Sequence, residues 1–574
     1  MFRKYIDMKK IFASFSCIAL LSVSFSCKNA LEEKPLDFYS PQNSFVSYAD
    51  FQHGLTDLYA KVRTIYYGAT EYKPYLTATD IAQDGRYQLT ARFGGHTNYL
   101  VPTNSDVLLH WRSWYKIVSN ANTIIGRVAT SNLTDDEKVL VTAEAKFFRA
   151  FAYRFLVYLW GGVPLITEEI TAPKTDFVRA SKTEILEQII ADATEAANNL
   201  PPINKVTDGK VSNLVAQQLL AETYISLQKY DEAIAAASVV IDDPNTDLMQ
   251  ERFGSMATQD PQDELLHFTQ PGDVYWDLFR AGNQNRSSGN REALWVIQYE
   301  TDITGGILSS AGGYAHFHTL ERVANPASWL TLRDPDGEEG VTGIAMSDYN
   351  TGGAGVSLMM NTDFFLNDLW ESDWNNDIRN APHNIVRDMV YTNPASAWYG
   401  KSAVENPGST LIEQPWRWYP HLSKVTTPGQ HPDGVYLDKG LGTIKSTAGA
   451  LYRDRYMMRL AETYLLRAEA YLGKGELQLA ADDINAVRLR AKANPVAAGD
   501  VTLDYILDER ARELVYEEPR RITLQRTGKL VERVRKYNTL NKDEIQDYHQ
   551  LWPIPYSEIE ANKDGNLDQN PGYN

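Results

Sequence analysis

Two stretches of the chain carry the same hydrophobic pattern. Apolar residues of the second stretch recur at steps of three and four, the spacing of one face of an α-helix: Met457, Leu460, Ala461, Tyr464, Leu465, Ala468, Tyr471 and Leu472. A Gly473-Lys474-Gly475 turn follows, and the spacing resumes through Leu477, Ala480, Ala481, Ile484 and Val487. The pattern predicts two helices that fold back on each other with small residues at their crossing.

The first stretch repeats this arrangement earlier in the chain. LAETYI at residues 220–225 matches LAETYL at residues 460–465, and Ala221, Tyr224 and Ala233 keep the spacing of Ala468, Tyr471 and Ala480. An alanine, an aromatic three residues later and a second alanine twelve after the first are typical of tetratricopeptide (TPR) hairpins. Because one hairpin cannot bury its apolar face alone, the sequence predicts further hairpins around these two.

Other segments have helical patterns with recognisable ends. We predict helices over residues 48–66, from Trp111 onward, over Asp135–Trp160, from a capping box at Ser181 and Glu184 to about residue 199, over residues 503–516, and over residues 520–536 with a basic outer face. The proline-containing tail after residue 550 is predicted to be extended, with Trp552 holding it to the body. Trp111, Trp114 and Trp160 are also assigned to the core.

Residues 243–453 lose the helical period. They hold more than half of the 36 Gly and most of the 12 Trp residues, and helical patterns resume on both sides. We therefore predict a mostly α fold, a TPR-like superhelix with a large loop-rich insertion that carries short strands. Trp295, in the apolar run ALWVIQY, is assigned to a buried strand. Residues 48–574 form one domain: a helical body at about 105–242 and 454–536, the insertion at about 243–453, and a tail at 537–574.

The N-terminus has the pattern of a lipoprotein signal peptide. Met8-Lys9-Lys10 precede an apolar run at residues 11–25, which ends at Ser26-Cys27. A basic region, a short apolar core and small residues before a Cys predict export, cleavage and lipid attachment at Cys27. Residues 1–26 are then the signal peptide and residues 27–47 a lipidated tether. Initiation at Met1 or at Met8 stays open.

The net charge argues against some classes of partner, and the two cysteines bear on whether the protein is exported. The formal net charge is −18, which disfavours nucleic acid, because phosphate binding needs a basic surface. Strongly acidic polysaccharides are disfavoured for the same reason, although a local basic patch is compatible with this total. With Cys17 cleaved off and Cys27 acylated, the exported protein has no thiol for a disulfide. The rival is an uncleaved cytosolic chain with Cys27 buried.

Several segments resemble signatures of the SusD/RagB family. They are residues 143–165 (AEAKFFRAFAYRFLVYLWGGVPL), residues 508–530 (DERARELVYEEPRRITLQRTGKL), the tail from LWPIPY to QNPGY, the run DWNNDIRN at 373–380, and the start CKNALEEKP. The resemblance covers essentially the whole mature chain. It implies an outer-membrane lipoprotein that faces the medium, binds an oligosaccharide or, in some members, peptides, and caps a SusC-like TonB-dependent transporter. It also implies a body of four TPR-type hairpins and a loop-rich ligand-binding half.

Candidate binding residues lie in the loops. A sugar ring has an apolar face, on which an aromatic ring stacks, and a rim of hydroxyls that Asp, Asn and Arg bind. Residues 79–105 are irregular and rich in such side chains, so we predict a loop or short hairpin there that exposes them, and the insertion supplies further clusters. From this loop context we select the glycan-binding candidates Trp276, Trp329, Tyr99, Asn98, Arg86, Arg92, Tyr314 and Arg333.

Catalysis and metal binding have weaker support. Acidic neighbours at 168–169, 338–339 and 373–377 do not define the carboxyl separation that a glycosidase needs, and solvated charge or a turn explains them. The sequence has neither a Gly-x-Ser-x-Gly elbow nor a His-Glu-x-x-His helix. His316 and His318 lack a third ligand, and the run from Asp334 to Glu338 begins like a calcium loop without the remaining positions. We predict no enzyme and no cofactor, with a loop-bound Ca²⁺ left open.

Four functions compete at this point. The first is a surface lipoprotein that captures oligosaccharides for import through a partner barrel. The second is peptide capture within the same family. The third is a secreted glycan-cleaving enzyme, and the fourth is a periplasmic TPR scaffold without a small ligand. The tryptophans of the insertion favour sugar over peptide, while the identity, linkage and length of the glycan stay open.

Overall fold

The long helices of the protein pack side by side, largely in chain order. The computed structural model describes residues 45–67, 72–86, 95–257, 272–304, 306, 308–309, 318–330, 332–342, 352–426, 429–440, 442–445, 448 and 451–573. Helices of the body are α1 (Tyr48–Tyr67), α2 (His96–Tyr99), α3 (Ser105–Ala129), α4 (Asp135–Trp160), α5 (Lys182–Asn199), α6 (Asn213–Ser226) and α7 (Tyr230–Ile241). After the insertion come α12 (Leu460–Lys474), α13 (Leu477–Arg490), α14 (Leu503–Leu514), α15 (Arg520–Arg526), α16 (Leu530–Tyr537) and α17 (Tyr556–Ala561).

Each body helix contacts the next one along the row. α3 packs against α4, α4 against α5, α5 against α6, and α6 against α7. α7 then packs directly against α12, although the insertion separates them in sequence, and α12 packs against α13 and α14. The predicted mostly α fold with TPR-like hairpins is confirmed.

The two matching stretches, α6–α7 and α12–α13, are neighbours in space. Gln218 on α6 donates a hydrogen bond to Glu462 (2.8 Å) and accepts one from Thr463 (2.7 Å) on α12. At the far end of α12, a Cβ atom added to Gly473 would lie 2.4 Å from the ring of Tyr230 on α7. The repeated pattern therefore builds two hairpins that stack on each other.

Local capping fixes several helix ends. Glu137 donates its backbone N–H to the Thr134 hydroxyl (3.3 Å) and accepts from the Thr134 backbone N–H (2.9 Å), which begins α4. Ser181 and Glu184 form the same reciprocal pair before α5, as predicted. Gly161 ends α4 with φ of 74°, a conformation that favours glycine. The predicted bounds of α4 are confirmed.

The insertion holds short helices and two-stranded sheets. Its helices are α8 (Val274–Leu278), α9 (Leu320–Ala324), α10 (Asp363–Leu366) and α11 (Ser409–Glu413). β1 (Ala82–Asp84) pairs with β3 (Met359–Asn361), β2 (Ala293–Ile297) with β8 (Arg455–Arg459), β4 (Ile385–Val386) with β5 (His421–Leu422), and β6 (Tyr436–Asp438) with β7 (Thr443–Ile444), all antiparallel. The buried strand predicted for Trp295 is confirmed as β2.

A buried network of arginines and carboxylates joins the insertion to the C-terminal helices. Glu513 on α14 accepts from Arg379 of the insertion (3.0 Å), from Arg459 of β8 (2.8 Å) and from Arg490 of α13. Arg379 also pairs with Asp377 (2.6 Å) in the predicted turn. Because each charge has a partner, the network can stay away from water.

The prediction of an exposed loop over residues 79–105 is wrong for most of its described part. Asp80, Asp84, His96 and Tyr99 are all buried. Asp84 lies 3.6 Å from the ammonium group of Lys73, and β1 pairs with β3 of the insertion. The polar side chains that suggested exposure are ion-paired in the interior instead.

The basic outer face predicted for residues 520–536 is confirmed only at its C-terminal end, where Arg535 and Lys536 are exposed. Arg520, Arg526 and Arg533 are buried instead. Arg526 forms a bidentate pair with Glu469 (2.8 and 2.6 Å), and Arg533 pairs with Asp80 (2.7 Å). The segment is two helices, α15 and α16, and these three arginines point into the protein.

The tail is partly helical, which corrects the prediction of a fully extended segment. α17 occupies Tyr556–Ala561. Trp552 is fully buried, as predicted, and its ring centroid lies 5.4 Å from that of Trp160. The Trp160 indole donates to the Pro553 carbonyl (2.9 Å), so these two tryptophans attach the tail to the end of α4.

Candidate functional site

Two arginines lie against one tryptophan at the junction of β1 and the insertion. The guanidinium carbon of Arg86 is 4.6 Å from the centroid of the Trp416 ring, and that of Arg417 is 4.3 Å from it. Both arginine side chains are partly exposed, whereas Trp416 is only 9 % exposed. We call Arg86, Trp329, Trp416 and Arg417 the arginine–tryptophan site.

A rigid backbone supports this site. Ser357, in the left-handed region with φ of 57°, donates its hydroxyl to the Trp416 carbonyl (2.8 Å) and accepts from the Ala327 backbone N–H (2.8 Å). Gly85 lies so close to this turn that a Cβ atom on it would be 2.5 Å from the Ser357 carbonyl oxygen. The segments that carry Arg86, Trp329 and Trp416 therefore meet at Ser357.

Trp329 presents a partly exposed ring in this site. Its indole N–H donates to the Gly355 carbonyl (2.7 Å), which fixes the orientation of the ring. The guanidinium of Arg417 donates to the carbonyl of the adjacent Leu330 and to Gln414 (2.9 Å). Of the candidates chosen from the sequence, the structure thus brings Arg86 and Trp329 into one neighbourhood.

Electrostatics at the site are dominated by positive charge. Burial lowers the pKa of Arg86, and the nearby charge of Arg322 lowers it further. Burial and the charge of Arg86 lower the pKa of Arg417 in the same way. Behind them the Tyr419 hydroxyl donates to the Met359 carbonyl (2.8 Å), which joins this segment to β3. The site combines an aromatic face with hydrogen-bond donors.

Trp276 lies inside the protein, not on its surface. The ring is 1 % exposed, and the guanidinium of Arg280 covers it at 4.2 Å. Met256 and Val386 pack around it. A ring enclosed in this way presents no face for stacking in this conformation, so the position of Trp276 explains stability more directly than ligand contact.

Tyr99 and Asn98 lie on α2, beside the tail. Tyr99 is buried with its ring centroid 6.1 Å from that of Trp552, whereas Asn98 is exposed. Trp552, the neighbour of Tyr99, belongs to the tail, and the structure does not place Tyr99 or Asn98 against the arginine–tryptophan site.

Arg333 begins a hairpin that a carboxylate closes. Asp334 accepts from the backbone N–H groups of Asp336 (2.9 Å) and Glu338 (2.9 Å), and from the Ser396 hydroxyl. Arg333 is partly exposed and pairs its backbone with Glu339. The run that resembles a calcium loop therefore uses its first carboxylate to form a turn, and Ca²⁺ binding there stays a prediction.

Three other selected residues, Arg92, Tyr314 and the lipidation site Cys27, lie outside the described residues, as does His316. His318 is buried. Within the ranges that the structure describes, no group of three or more His, Cys, Asp or Glu side chains could hold a metal ion. None of the described helices is long and apolar enough to cross a membrane. A binding role for every selected residue stays a prediction.

Sequence reasoning missed Trp416 and Arg417. The signal was present in the run PWRWYP, where Arg417 stands between two tryptophans. Of these two, Trp418 packs into a small separate core with Leu332 and Met389, while Trp416 joins Arg86. The sequence contains the alternation but does not tell which tryptophan faces which partner.

Two other tryptophans near the surface also have a cationic side chain against the ring. Trp374 is 42 % exposed, with the guanidinium of Arg387 at 4.6 Å from its centroid. Trp398 has the Lys401 ammonium group at 4.5 Å and donates to Asp336 (2.8 Å). Neither combines two arginines on one ring, which distinguishes the arginine–tryptophan site.

Two family models match this chain in two separate segments. The model described as "SusD family" matches residues 385–573, and the model described as "Starch-binding associating with outer membrane" matches residues 31–225. The chain belongs to the SusD family. One model matches the N-terminal part of the chain and the other its C-terminal part. The resemblance to the SusD/RagB family seen in the sequence is confirmed.

Named relatives and solved structures agree with this assignment. A SusD-like protein of Formosa agariphila, P2, is 26% identical over 99% of this chain and 100% of its own length. The starch-binding protein SusD of Bacteroides thetaiotaomicron is 37% identical over 22% of this chain and 24% of its own length.

Among solved structures, a laminarin-binding SusD-like protein has a TM-score of 0.62 at 22% identity and covers 92% of this chain and 100% of its own. A SusD homolog from Bacteroides thetaiotaomicron has a TM-score of 0.65 at 20% identity, over 93% of this chain and 98% of its own. These two structures show that the SusD fold extends over nearly the whole chain.

Proposed function

We propose that this protein is a cell-surface outer-membrane lipoprotein that binds oligosaccharides and delivers them to a SusC-like TonB-dependent transporter. The observation that carries the proposal is the pair Arg86 and Arg417 on the Trp416 ring, with the partly exposed Trp329 next to Leu330, whose carbonyl accepts from Arg417. A tryptophan face stacks on the C–H face of a sugar, and guanidinium N–H groups donate to the surrounding oxygens. The protein binds without breaking bonds in the ligand.

The relatives support the class of ligand. One relative is named as starch-binding and one solved neighbour as laminarin-binding. Both names describe glycans, and a loop site with tolerant stacking can take different sugars on one scaffold. The match to a family described as associating with the outer membrane supports the location.

The anchor and the transporter follow from the N-terminal pattern and from the family. We propose that the signal peptide is removed before Cys27 and that acyl chains on Cys27 hold the protein at the membrane. The tether at residues 27–47 then separates the folded part from the lipid. The transporter is the partner that the family resemblance implies.

A binding screen on the soluble protein lacking residues 1–27 tests the ligand class. We expect binding to a set of glycans on an array, loss of that binding in Trp329→Ala, and none to a matched peptide library. Trp374→Ala is the control, because its ring is exposed but belongs to another surface. Peptide binding without glycan binding would favour the RagB-like alternative, and release of reducing ends from a bound polysaccharide would contradict a binding-only role.

A further inference from the structure

The arginine–tryptophan site places on one ring two arginines that have no carboxylate partner in the part of the chain that the structure describes. Within the described residues, neither Arg86 nor Arg417 forms an ion pair with a carboxylate. The side chain of Arg417 donates to a neutral amide, Gln414, and to the Leu330 carbonyl. By contrast, Arg526 and Arg533 of the body each pair with carboxylates, although the buried Arg521 donates only to backbone carbonyls.

In the ranges that the structure describes, the Arg86 side chain has fewer hydrogen-bond partners than that of Arg417. Its backbone N–H donates to the Asp84 carboxylate (3.2 Å), but that carboxylate lies against Lys73. The Nε atom of Arg86 is enclosed and has no hydrogen-bond partner in the described part of the chain. The side chain is thus held by the Trp416 ring, and within the described residues no hydrogen bond occupies its Nη1 and Nη2 donors.

Two positive charges lie at one ring, and no carboxylate among the described residues pairs with them. A bound anion would neutralise these charges. In addition to burial, the positive charge of Arg86 lowers the pKa of Arg417, and the charge of Arg322 lowers the pKa of Arg86. A guanidinium group presents parallel N–H donors that match the two oxygens of a carboxylate or a sulfate. Stacking on Trp416 orients the guanidinium groups and reduces the conformational freedom that binding must remove.

We propose that this site selects acidic sugars, with the carboxylate or sulfate ester bound by Arg86 and Arg417 while the sugar ring stacks on Trp329. The inference rests on the proposed function, because it names the class of glycan that the same site takes. It replaces the expectation from net charge that acidic polysaccharides are disfavoured. The total of −18 describes the whole chain, whereas a ligand within a few ångströms experiences mainly the local charges.

Paired ligands of equal length test the charge preference. We would measure binding of oligogalacturonides and of their methyl esters, and of sulfated carrageenan oligosaccharides and their desulfated forms, by calorimetry on the protein lacking residues 1–27. At least one acidic form should bind about tenfold more tightly than its neutral partner, and its affinity should fall as NaCl rises. The carboxylate and sulfate arms identify which anion the site prefers, and a preference in either arm supports the inference.

Variants assign the preference to the two arginines. Arg86→Gln and Arg417→Gln should each lower affinity for the acidic ligand about tenfold and lower affinity for the neutral partner by a smaller factor, so that the ratio of the two affinities falls. Arg417→Lys keeps the charge without the paired donors and should lose part of the affinity. Arg291→Gln, at an exposed arginine of the insertion, is the matched control and should change neither. Circular dichroism and thermal unfolding report whether each variant is folded.

The outcomes separate this inference from the proposed function. Equal or tighter binding of the neutral forms, or affinity independent of salt and of both arginines, would overturn the preference for acidic sugars and leave glycan binding standing. Absence of binding to every glycan, acidic or neutral, would overturn both.

Discussion

Asp80 and Arg520, 440 residues apart in the sequence, form a bidentate ion pair in the interior of the protein. Arg520 Nε lies 2.9 Å from one carboxylate oxygen of Asp80 and Nη2 lies 2.6 Å from the other. Arg533 donates to the same carboxylate at 2.7 Å. This contact fixes the segment that leads into β1, and therefore the start of the arginine–tryptophan site, to α15 and α16.

Removal of the Asp80 charge should destabilise the whole protein. Asp80→Asn leaves two buried arginines without their shared carboxylate, so we expect the free energy of unfolding to fall by about 3–5 kcal/mol. Urea unfolding followed by fluorescence measures it. The control is Asp433→Asn, which removes an exposed pair with Lys439 (2.6 Å) and should change the free energy of unfolding little, because water screens the two charges. Equal losses in both variants would contradict this account.

Acidification should first destabilise the protein through buried histidines. Burial lowers the pKa of His110 from 6.5 to about 3 and that of His421 from 6.5 to about 4. The unfolded chain then binds protons that the folded chain does not, so stability falls as pH drops below about 6.5. At pH 5 the contribution from His421 is on the order of 2 kcal/mol.

Urea unfolding from pH 7 to pH 5 checks this first phase. His421→Gln should show a shallower fall in the free energy of unfolding than the unmodified protein. The same change at the exposed His53 should leave the slope unaltered. If His421→Gln keeps the full slope, the buried histidine is not its source.

A second loss of stability should occur at lower pH, from ion-paired carboxylates. Burial alone would raise the pKa of Asp80, but the charges of Arg520 and Arg533 lower it from 3.8 to about 2. Arg379, Arg512 and Arg488 act on Glu509 in the same way, from 4.5 to about 2. Their stabilising effect is complete above the ordinary pKa values and is lost as pH falls from about 4.5 towards 2. Unfolding curves at pH 5, 4 and 3 should show this loss, and a stability independent of pH in that range would contradict it.

Trp329 and Trp276 should give opposite phenotypes. Trp329→Ala removes a partly exposed ring, so glycan affinity should fall about tenfold with little loss of stability. Trp276→Ala leaves a cavity beneath Arg280 and should lower the free energy of unfolding by about 3–5 kcal/mol. Calorimetry with the bound glycan and urea unfolding measure the two effects. Loss of affinity from Trp276→Ala in a protein of unchanged stability would instead support the original selection of Trp276.

The contact between the two repeated hairpins has little spare space. Gly473→Ala places a methyl group 2.4 Å from the ring of Tyr230, so one helix must shift, and we expect a cost of about 1–3 kcal/mol. Gly499→Ala is the matched change, because nothing lies within 4 Å of its added Cβ. Urea unfolding should separate the two variants, and a Gly473→Ala protein as stable as the unmodified one would mean that the helices have room to adjust.

Cys27 should determine membrane attachment. Cys27→Ala should abolish incorporation of labelled palmitate and release the protein from the membrane fraction, because the acyl chains supply its affinity for lipid. Cys17→Ala is the control and should leave labelling intact. Protease treatment of intact cells should remove the unmodified protein from the surface, and full protection from protease would contradict exposure to the medium.

Helix periodicity and capping predict much of the body. α4 begins and ends where Thr134, Glu137 and Gly161 indicate, since these signals act within a few residues of the helix ends. The repeated alanine and tyrosine positions likewise predict the α12–α13 hairpin, because its contacts are mostly local. Trp295 was assignable because a short apolar run between polar segments is typical of a buried strand.

Helix periodicity does not predict the burial of charged residues whose partners are distant in the sequence. Arg526 and Arg533 look like one face of a surface helix until Glu469 and Asp80 are brought beside them. A single sequence gives no information on which carboxylate, hundreds of residues away, meets which arginine. The same limit applies to the site: loop context favoured both Trp276 and Trp329, and only the fold separates the enclosed ring from the accessible one.

The ion network around Glu513 also imposes an order on assembly. Arg379 of the insertion requires Glu509 and Glu513 of α14, and Asp80 requires Arg520 and Arg533. Since synthesis proceeds from the N-terminus, Asp80 and Arg379 are made before the counter-ions on α14, α15 and α16. A chain that ends before α14 can therefore complete neither cluster, and its loops would lack the ion pairs that hold them.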